Sequence, residues 1–487
     1  MDYQLLFHEY KHRHSSRKQP QQRLLYQCLR GAILAGKLKA GEPLLGSRAL
    51  AAELQLSRNS VLYAYEQLAT EGLLDTAGRK TRVSANALIG VAEASQRDHE
   101  KSLPLVSRAQ LQIHPPEPTV TCAAFMPGVP ALSEFPITNW RRCLERAWRS
   151  ATANQLDYGD AAGEPALRAA IAEHLTTTRG VICNSGQVFI TNGTQHSLDL
   201  CAFALANAGD TVWVENPGYE GAAQAFRAAE LNLQGIAVDE NGIAPSDEDW
   251  QNLTPKLIYT TPAHQFPLGQ VLSIERRMSL IENAKTHGCW IIEDDYDSEF
   301  RRDGPPLPAM QGLSENTPVI YLGTFSKTLF PALRIGFMVV PKALTAAFTQ
   351  MMKLHHLGGR TIDQLALAEF LRIGQFSLHL RKMRRLYAAR RDALVAAMQK
   401  HLGHIATLYG GSSGIHLTIE LPEQLPDIDI SAAALEQGIY VKPLSKLATG
   451  PQRCNGLMLG YARVPAEQMD ELIARLATVI NHGAMDV

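Results

Sequence analysis

The sequence predicts a multidomain chain. A small basic α+β module of helices and a β-hairpin comes first, then a large α/β domain with a mainly parallel central sheet and a smaller C-terminal α/β lobe. Three observations predict this. The chain has 487 residues, more than one hydrophobic core accommodates. Its charge is uneven: residues 1–83 hold 13 Lys and Arg against 7 Asp and Glu, while the remainder holds 34 against 41. From residue 121 onward, short apolar runs alternate with helical patterns, the order of a parallel sheet with crossover helices.

A hydrophobic content of 45% and a charged content of 20% are those of a soluble globular protein. The apolar runs fall far short of the roughly 20 residues a membrane helix needs, and the first residues lack the apolar core of a signal peptide. A cytoplasmic protein without a membrane partner is expected. The seven cysteines (Cys28, Cys122, Cys143, Cys183, Cys201, Cys289 and Cys454) form no C-x-x-C pair, so reduced thiols are expected, with no metal site.

Taken in order, residues 1–19 are polar and basic and read as a mobile arm, its His8, His12 and His14 lacking an evident ligand partner. Residues 20–83 read as a compact DNA-reading module. Apolar residues at helical spacing (Leu24, Leu25, Cys28, Leu29, Ile33, Leu34) predict a helix from Pro20 to a stop at Gly36. Ser47 is placed to cap a short helix, and Ser57 a second one running to Gly72. Two short helices joined by a tight break at Gln55 and Leu56 have the form of a helix-turn-helix, and residues 73–83 read as a basic-tipped hairpin, a wing. Arg58, Asn59 and Ser60 occupy the helix end that enters a major groove, where Arg reads guanine and Asn adenine. Arg48, Arg79, Lys80 and Arg82 suit phosphates. The stretch G-E-P-L-L-G-S-R-A-L-A-A-E-L-Q-L-S-R-N-S-V resembles the winged helix-turn-helix of GntR-type bacterial repressors, which implies double-stranded operator DNA as partner and contacts at Arg48, Arg58, Asn59 and Ser60. Leu62 stands where that family often has a basic residue. Residues 84–120, rich in Ala, Ser, Gln and Pro, read as a linker that lets two domains move independently or swap between chains.

In the domain from residue 121, ligands are expected at the carboxyl ends of the strands, and five of those ends carry chemistry. Val188–Thr191 runs into Gly193, Thr194 and Gln195 at a helix start, which is either a phosphate cradle or an ordinary capped turn. Thr211–Val214 runs into E-N-P-G-Y, presenting Tyr219 as a stacking face for a planar ring or as packing. Leu257–Thr260 leads to His264 and Gln265 on a constrained turn. Cys289–Ile292 leads to E-D-D-Y-D-S-E-F, whose carboxylates suit Mg²⁺ or a pyridine nitrogen. Val319–Leu322 leads to the turn G-T-F-S-K-T-L-F-P-A-L-R, with Thr324, Ser326, Lys327 and Arg334. The five together read as a pyridoxal 5′-phosphate (PLP) pocket. Lys327 is the Schiff-base lysine, Asp294 the partner of the pyridine nitrogen, Tyr296 that of the ring hydroxyl, and Thr324, Ser326 and Arg334 face the phosphate.

In this order, ending in S-K-x-x-x-P-x-x-R, these motifs resemble fold type I, aspartate aminotransferase-like PLP enzymes over residues 121–487, with 341–487 as the smaller lobe. The resemblance implies a homodimer with Tyr158, in D-Y-G-D-A-A-G, lent by the neighbouring chain to the cofactor site. The two halves together resemble the MocR subfamily of GntR regulators, in which an aminotransferase-like domain serves as effector sensor. Two departures from the enzymes stand out. Phe266 replaces an asparagine that bonds the ring hydroxyl, and Met458 replaces an arginine that grips an α-carboxylate, with Arg463 as a nearby substitute. The expectation is a regulator that transaminates poorly and senses PLP itself, as PdxR-like members do. The alternatives are a sensor of an amino acid or amine such as taurine or γ-aminobutyrate, and a working aminotransferase with an appended DNA-binding domain.

Overall fold

A computed structural model of the chain describes residues 1–13, 19–76, 80–84, 123–302, 307–314, 316–355, 358–411, 413–450 and 454–485. It divides into two compact units, Met1–Pro104 and Leu105–Val487.

The first unit holds α1 (Tyr3–Arg13), α2 (Gln21–Leu34), α3 (Ser47–Leu54), α4 (Arg58–Thr70), β1 (Leu74–Asp75) and β2 (Arg82–Val83). One apolar core, including Leu25, Leu29, Ile33, Leu50, Val61 and Leu68, joins the helices. Gln55 takes a left-handed conformation (φ 55°) that turns the chain sharply between α3 and α4. Ser57 caps α4 as expected, its Oγ accepting from Ser60 N at 3.1 Å. Ser47 does not cap α3; it is the first helical residue, behind Gly46. β1 and β2 pair antiparallel, with Leu74 opposite Val83. The reading of residues 1–19 as a mobile arm is corrected. Residues 3–13 are helical, and Tyr3 and Phe7, one turn apart, bury their rings in the module core. His14 lies outside the described residues, as does the linker reading of 84–120 except Ser84.

The second unit begins with α5 (Ile137–Ser150) and α6 (Pro165–Arg179). Its core is built from β3 (Val188–Thr191), α7 (Thr194–Leu205), β4 (Thr211–Asn216), α8 (Glu220–Ala228), β5 (Asn232–Asp239), β6 (Gly242–Ile243), α9 (Asp247–Asn252), β7 (Leu257–Thr260), α10 (Ile274–His287), β8 (Trp290–Asp295), β9 (Val319–Thr324) and β10 (Gly336–Val339). The eight strands lie in the order β3-β10-β9-β8-β7-β4-β5-β6. β9, β8, β7, β4 and β5 run parallel, while β10 is antiparallel to both its neighbours. β3, β4, β7, β8, β9 and β10 are buried almost throughout, as a sheet covered by helices on both sides requires, while β5 near the edge is mostly half-buried. The carboxyl ends of β4, β7, β8 and β9 therefore open at one edge.

The smaller lobe follows: α11 (Thr345–His355), α12 (Thr361–Arg372), α13 (Gln375–Leu402), β11 (Thr407–Tyr409), β12 (His416–Glu420), α14 (Asp427–Glu436), β13 (Lys442–Pro443), β14 (Gly456–Gly460) and α15 (Met469–Met485). Its strands form an antiparallel sheet, β11-β12-β14-β13. The segment before α5 is bound to this lobe. Ala124 bridges Ile439, and Gly460 N donates to Phe125 O at 2.8 Å.

Candidate functional site

A cavity of about 340 Å³ opens at the strand ends of the second unit. Its walls contain Gly193, Thr194, Gln195, Tyr219, Asp294, Tyr296, Thr324, Ser326, Lys327 and Arg334, so ten of the residues singled out in the sequence share one site. Tyr158 is not among them; it is 72% exposed on this chain.

Lys327 follows β9. Its amine donates to Gly128 O at 2.8 Å, and burial lowers its pKa, against the opposing pull of Asp297 and Asp294. Gly128 comes from the segment that crosses to the smaller lobe. A Cβ there would sit 2.8 Å from the lysine nitrogen and displace the amine, and at φ +75° any other residue would be strained. Asp294 ends β8 inside the protein. Tyr259 Oη donates to its Oδ2 at 2.8 Å, while Oδ1 is buried with no hydrogen-bond partner among the described residues. Desolvation pushes the Asp294 carboxyl up to about 7, more than the Tyr259 hydrogen bond pulls it down.

On another wall, Gly193 (φ 94°) precedes α7, so the free N–H groups of the first turn face the cavity. The Arg334 guanidinium lies against Gly193, 3.8 Å from where a Cβ would be, and makes no hydrogen bond or ion pair with the described residues. Thr324 Oγ1 accepts from Ser326 N at 3.2 Å, which leaves both hydroxyl hydrogens free. The Gln195 side chain is tied to α8 through Gly221 O at 3.1 Å. Tyr219 stands edge-on to Phe266, ring centroids 5.6 Å apart, and leans over Gly221.

Tyr296 Oη lies 2.9 Å from His264 Nδ1, and the same nitrogen is 3.1 Å from each carboxylate oxygen of Asp297. His416 Nε2 faces Pro267 O at 3.2 Å, and burial holds its pKa well below the ordinary histidine value, so it lines the cavity as a neutral ring. The ligand atoms of His264, Asp297 and His416 lie within 4.8 Å of one another, but each histidine already spends a nitrogen on a protein oxygen. Gln265 ties Glu215, Pro217 and Phe266 together beneath the site. Met458 is 1% exposed in an apolar cluster with Leu444 and Leu447, and Arg463 is half-buried and does not line the cavity.

The residues missed in the sequence are Gly128, Tyr259, Thr261, Ile415, His416 and Asp297. Tyr259 and Ile415 read as core, and Asp297 lay within a motif whose other members took the attention. Gly128 carries the one usable signal, its position in the turn M-P-G-V-P.

In the first unit, Arg48, Arg58 and Asn59 are exposed, Arg58 and Asn59 on the first turn of α4. Ser60 is half-buried, with Oγ 2.9 Å from Ser57 Oγ, so it completes the cap as well as facing outward. Lys80 and Arg82 are exposed on the wing, and Arg82 Nη1 donates to Gly41 O at 3.0 Å, anchoring β2 to the turn before α3. Arg79 lies outside the described residues.

Comparison with known proteins places both units. Residues 129–476 match the family "Aminotransferase class I and II", and residues 21–83 match "Bacterial regulatory proteins, gntR family". The chain is 39% identical to "Probable rhizopine catabolism regulatory protein MocR" of Rhizobium meliloti, covering 94% of this chain and 93% of that one. It is 29% identical to the pyridoxine biosynthesis transcriptional regulator PdxR of Corynebacterium glutamicum, over 94% and 96%. Among solved structures it is similar to LysN, the α-aminoadipate aminotransferase of Thermus thermophilus, crystallised with N-(5′-phosphopyridoxyl)-L-leucine. That likeness has a TM-score of 0.68 and 27% identity, covering 75% of this chain and 93% of LysN. The second unit thus has the fold type I architecture of PLP-dependent aminotransferases. The chain belongs to the MocR-type transcriptional regulators, in which a gntR-family DNA-binding domain is joined to an aminotransferase class I and II domain.

Proposed function

We propose that this regulator holds PLP on Lys327 and that PLP itself is the signal that alters its binding to operator DNA. The cavity fits the group. The orphaned Asp294 Oδ1, on a carboxyl that titrates near neutrality, is matched to a pyridine N–H. The unpaired Arg334 guanidinium, the Thr324 and Ser326 hydroxyls and the first N–H groups of α7 are matched to a phosphate. Tyr219 would flank the ring and Tyr296 would serve its hydroxyl. PLP, when bound, supplies an aldehyde that condenses with an amine and a ring that withdraws electrons. The protein's own part is to favour the neutral form of Lys327 by burial, to offer Asp294 Oδ1 as the acceptor that keeps a proton on the ring nitrogen, and to fix the ring and phosphate.

The observation that carries the choice of signal is a count of cations. Among the described residues lining the cavity, only Lys327 and Arg334 carry positive charge, and PLP uses both. The position expected to grip an α-carboxylate is Met458, packed among apolar side chains, and Arg463 does not reach the cavity wall. An incoming amino acid thus lacks a charge-assisted pair worth roughly 1.5–3 kcal/mol. A second reading, in which a small amine adds to the bound PLP and is the signal, is favoured by the likeness to a regulator named for rhizopine catabolism rather than for vitamin supply.

Loading the protein with PLP and mixing it with a panel of amino acids and amines, while following visible absorption and DNA affinity, separates the readings. PLP alone is expected to change DNA affinity, and no amino acid should convert PLP to its amine form within minutes. Rapid conversion with release of a keto acid would make the chain a working aminotransferase. A change in DNA affinity that needs one amine would move the assignment to the second reading. Arg58, Asn59 and Arg48 as operator contacts, and a homodimer sharing Tyr158, belong to the same proposal. They rest on exposed arginines and an exposed asparagine at the start of α3 and α4 and on a tyrosine left in solvent by a single chain.

A further inference from the structure

We infer that His264 and Asp297 are positioning residues: they hold the imidazole in the tautomer that leaves the Tyr296 phenol hydrogen free to be donated into the cavity. The inference rests on the PLP reading, since it concerns the group that Tyr296 would serve.

His264 and Asp297 side chains are each 1% exposed. Among the described residues, Asp297 makes no ion pair with Lys or Arg, and its hydrogen bonds go to His264 Nδ1, at 3.1 Å to each oxygen. An ionised carboxylate can only accept, so Nδ1 carries the hydrogen. Among the described residues, His264 Nε2 is buried with no partner, which suits a bare ring nitrogen better than a second N–H. Tyr296 Oη is 2.9 Å from the same Nδ1. A protonated Nδ1 has no lone pair to offer, so the phenol oxygen can only accept there. Its own hydrogen is then available to a group in the cavity that Tyr296 lines. With the other tautomer, the phenol would donate to Nδ1 and have no hydrogen left for the cavity. The logic is that of a carboxylate fixing the tautomer of a catalytic histidine.

The smaller lobe closes over this pair. Gly414, at φ +79°, lies so near that a Cβ would collide with the His264 ring and the Asp297 carboxylate. Tyr461 Oη donates to Gly414 O at 2.6 Å and fixes that loop. Glycine is needed here because the lobe's backbone itself is the lid on the pair.

A double-mutant cycle on the full-length protein tests the inference, with PLP as the probe. The readouts are the PLP dissociation constant and the visible absorption of bound PLP. Asp297→Asn keeps the shape but offers an N–H to Nδ1, so it selects the other tautomer. It is expected to weaken PLP binding about tenfold and to shift the absorption as Tyr296→Phe does, the effect of losing one hydrogen bond to a polar ring group. In the Y296F background the same D297N change is expected to cost at most about twofold, the remainder being the direct field of Asp297 on Lys327. Equal effects of D297N in both backgrounds, or none in the wild type, would overturn the inference. A wild-type protein that acquires no visible absorption with PLP would instead overturn the PLP reading.

Discussion

At the scale of single residues, the site is governed by where charge is made expensive. Asp294 sits fully inside the protein with one oxygen unmatched, and desolvation lifts its carboxyl from the ordinary 3.8 to about 7. The sign of the pH effect follows from linkage. An acid that holds its proton more tightly folded than unfolded stabilises the ligand-free protein fully at low pH and loses that contribution as pH rises from about 4 through about 7. Asp294→Asn removes the cost of the buried charge. Without PLP it should melt modestly above the wild type at pH 5 and further above it at pH 8, while binding PLP far more weakly at both. Equal melting at pH 8 would show that Asp294 is not desolvated. Lys327→Ala should abolish the shift in absorption that PLP undergoes on joining a lysine, because no other lysine lines the cavity among the described residues. Met458→Arg should not restore amino-acid recognition. It places a guanidinium among Leu444, Leu447 and Phe266 with no carboxylate partner, and should destabilise the domain by on the order of 3 kcal/mol in denaturant unfolding.

At the scale of elements, two helices of the DNA-binding module lead to opposite lessons about reading a sequence. α4 was legible to its cap, because Ser57 stands just before an apolar helical pattern and its Oγ does accept from Ser60 N. α1 was not legible, because only Tyr3 and Phe7 of its eleven residues are fully buried, with Leu6 and Tyr10 partly so, and the basic side chains around them read as a solvated arm. Phe7→Ala is therefore expected to destabilise the module by about 3 kcal/mol, visible in the isolated thermal or denaturant transition of the full chain, where a mobile arm would show no change. At the exposed first turn of α4, proposed to face the operator, Arg58→Ala and Asn59→Ala should each cost about 1–3 kcal/mol and relax discrimination at one base pair. Lys80→Ala, at a proposed phosphate contact on the wing, should weaken binding evenly across sequences and reduce the salt dependence of the affinity. Loss of specificity from Lys80→Ala would exchange those roles.

At the scale of the molecule, the strand ends were readable because each apolar run terminates in residues that have no business in a core: Asp294 after W-I-I-E, Lys327 after V-I-Y-L-G-T, Tyr219 after a Pro-Gly turn. The parallel order of β9, β8, β7 and β4 then brings them to one edge. What long-range packing supplies could not be read. Gly128, 199 residues from Lys327, reaches the amine only because its segment is pinned to the smaller lobe by Ala124 and Phe125. His416, inside an apolar strand, becomes a cavity wall only once β12 is laid beside the first sheet. The segment pinned to this lobe reaches the lysine at Gly128, and the lobe itself lies against His264 and Asp297 at Gly414. A ligand alters DNA affinity only through unequal affinity for two states of the protein, and a tenfold change corresponds to about 1.4 kcal/mol.

The most direct test of PLP as the signal is the affinity of the full-length protein for the DNA just upstream of its own gene, measured on ligand-free protein and on protein saturated with PLP, with Lys327→Ala beside them. The account predicts that PLP alone changes the dissociation constant by about tenfold or more, and that the K327A protein binds the DNA equally with and without PLP. Equal affinity of the wild-type protein in both states would contradict it. PLP would then be a fixed cofactor, and the signal would be an amine that reacts with it.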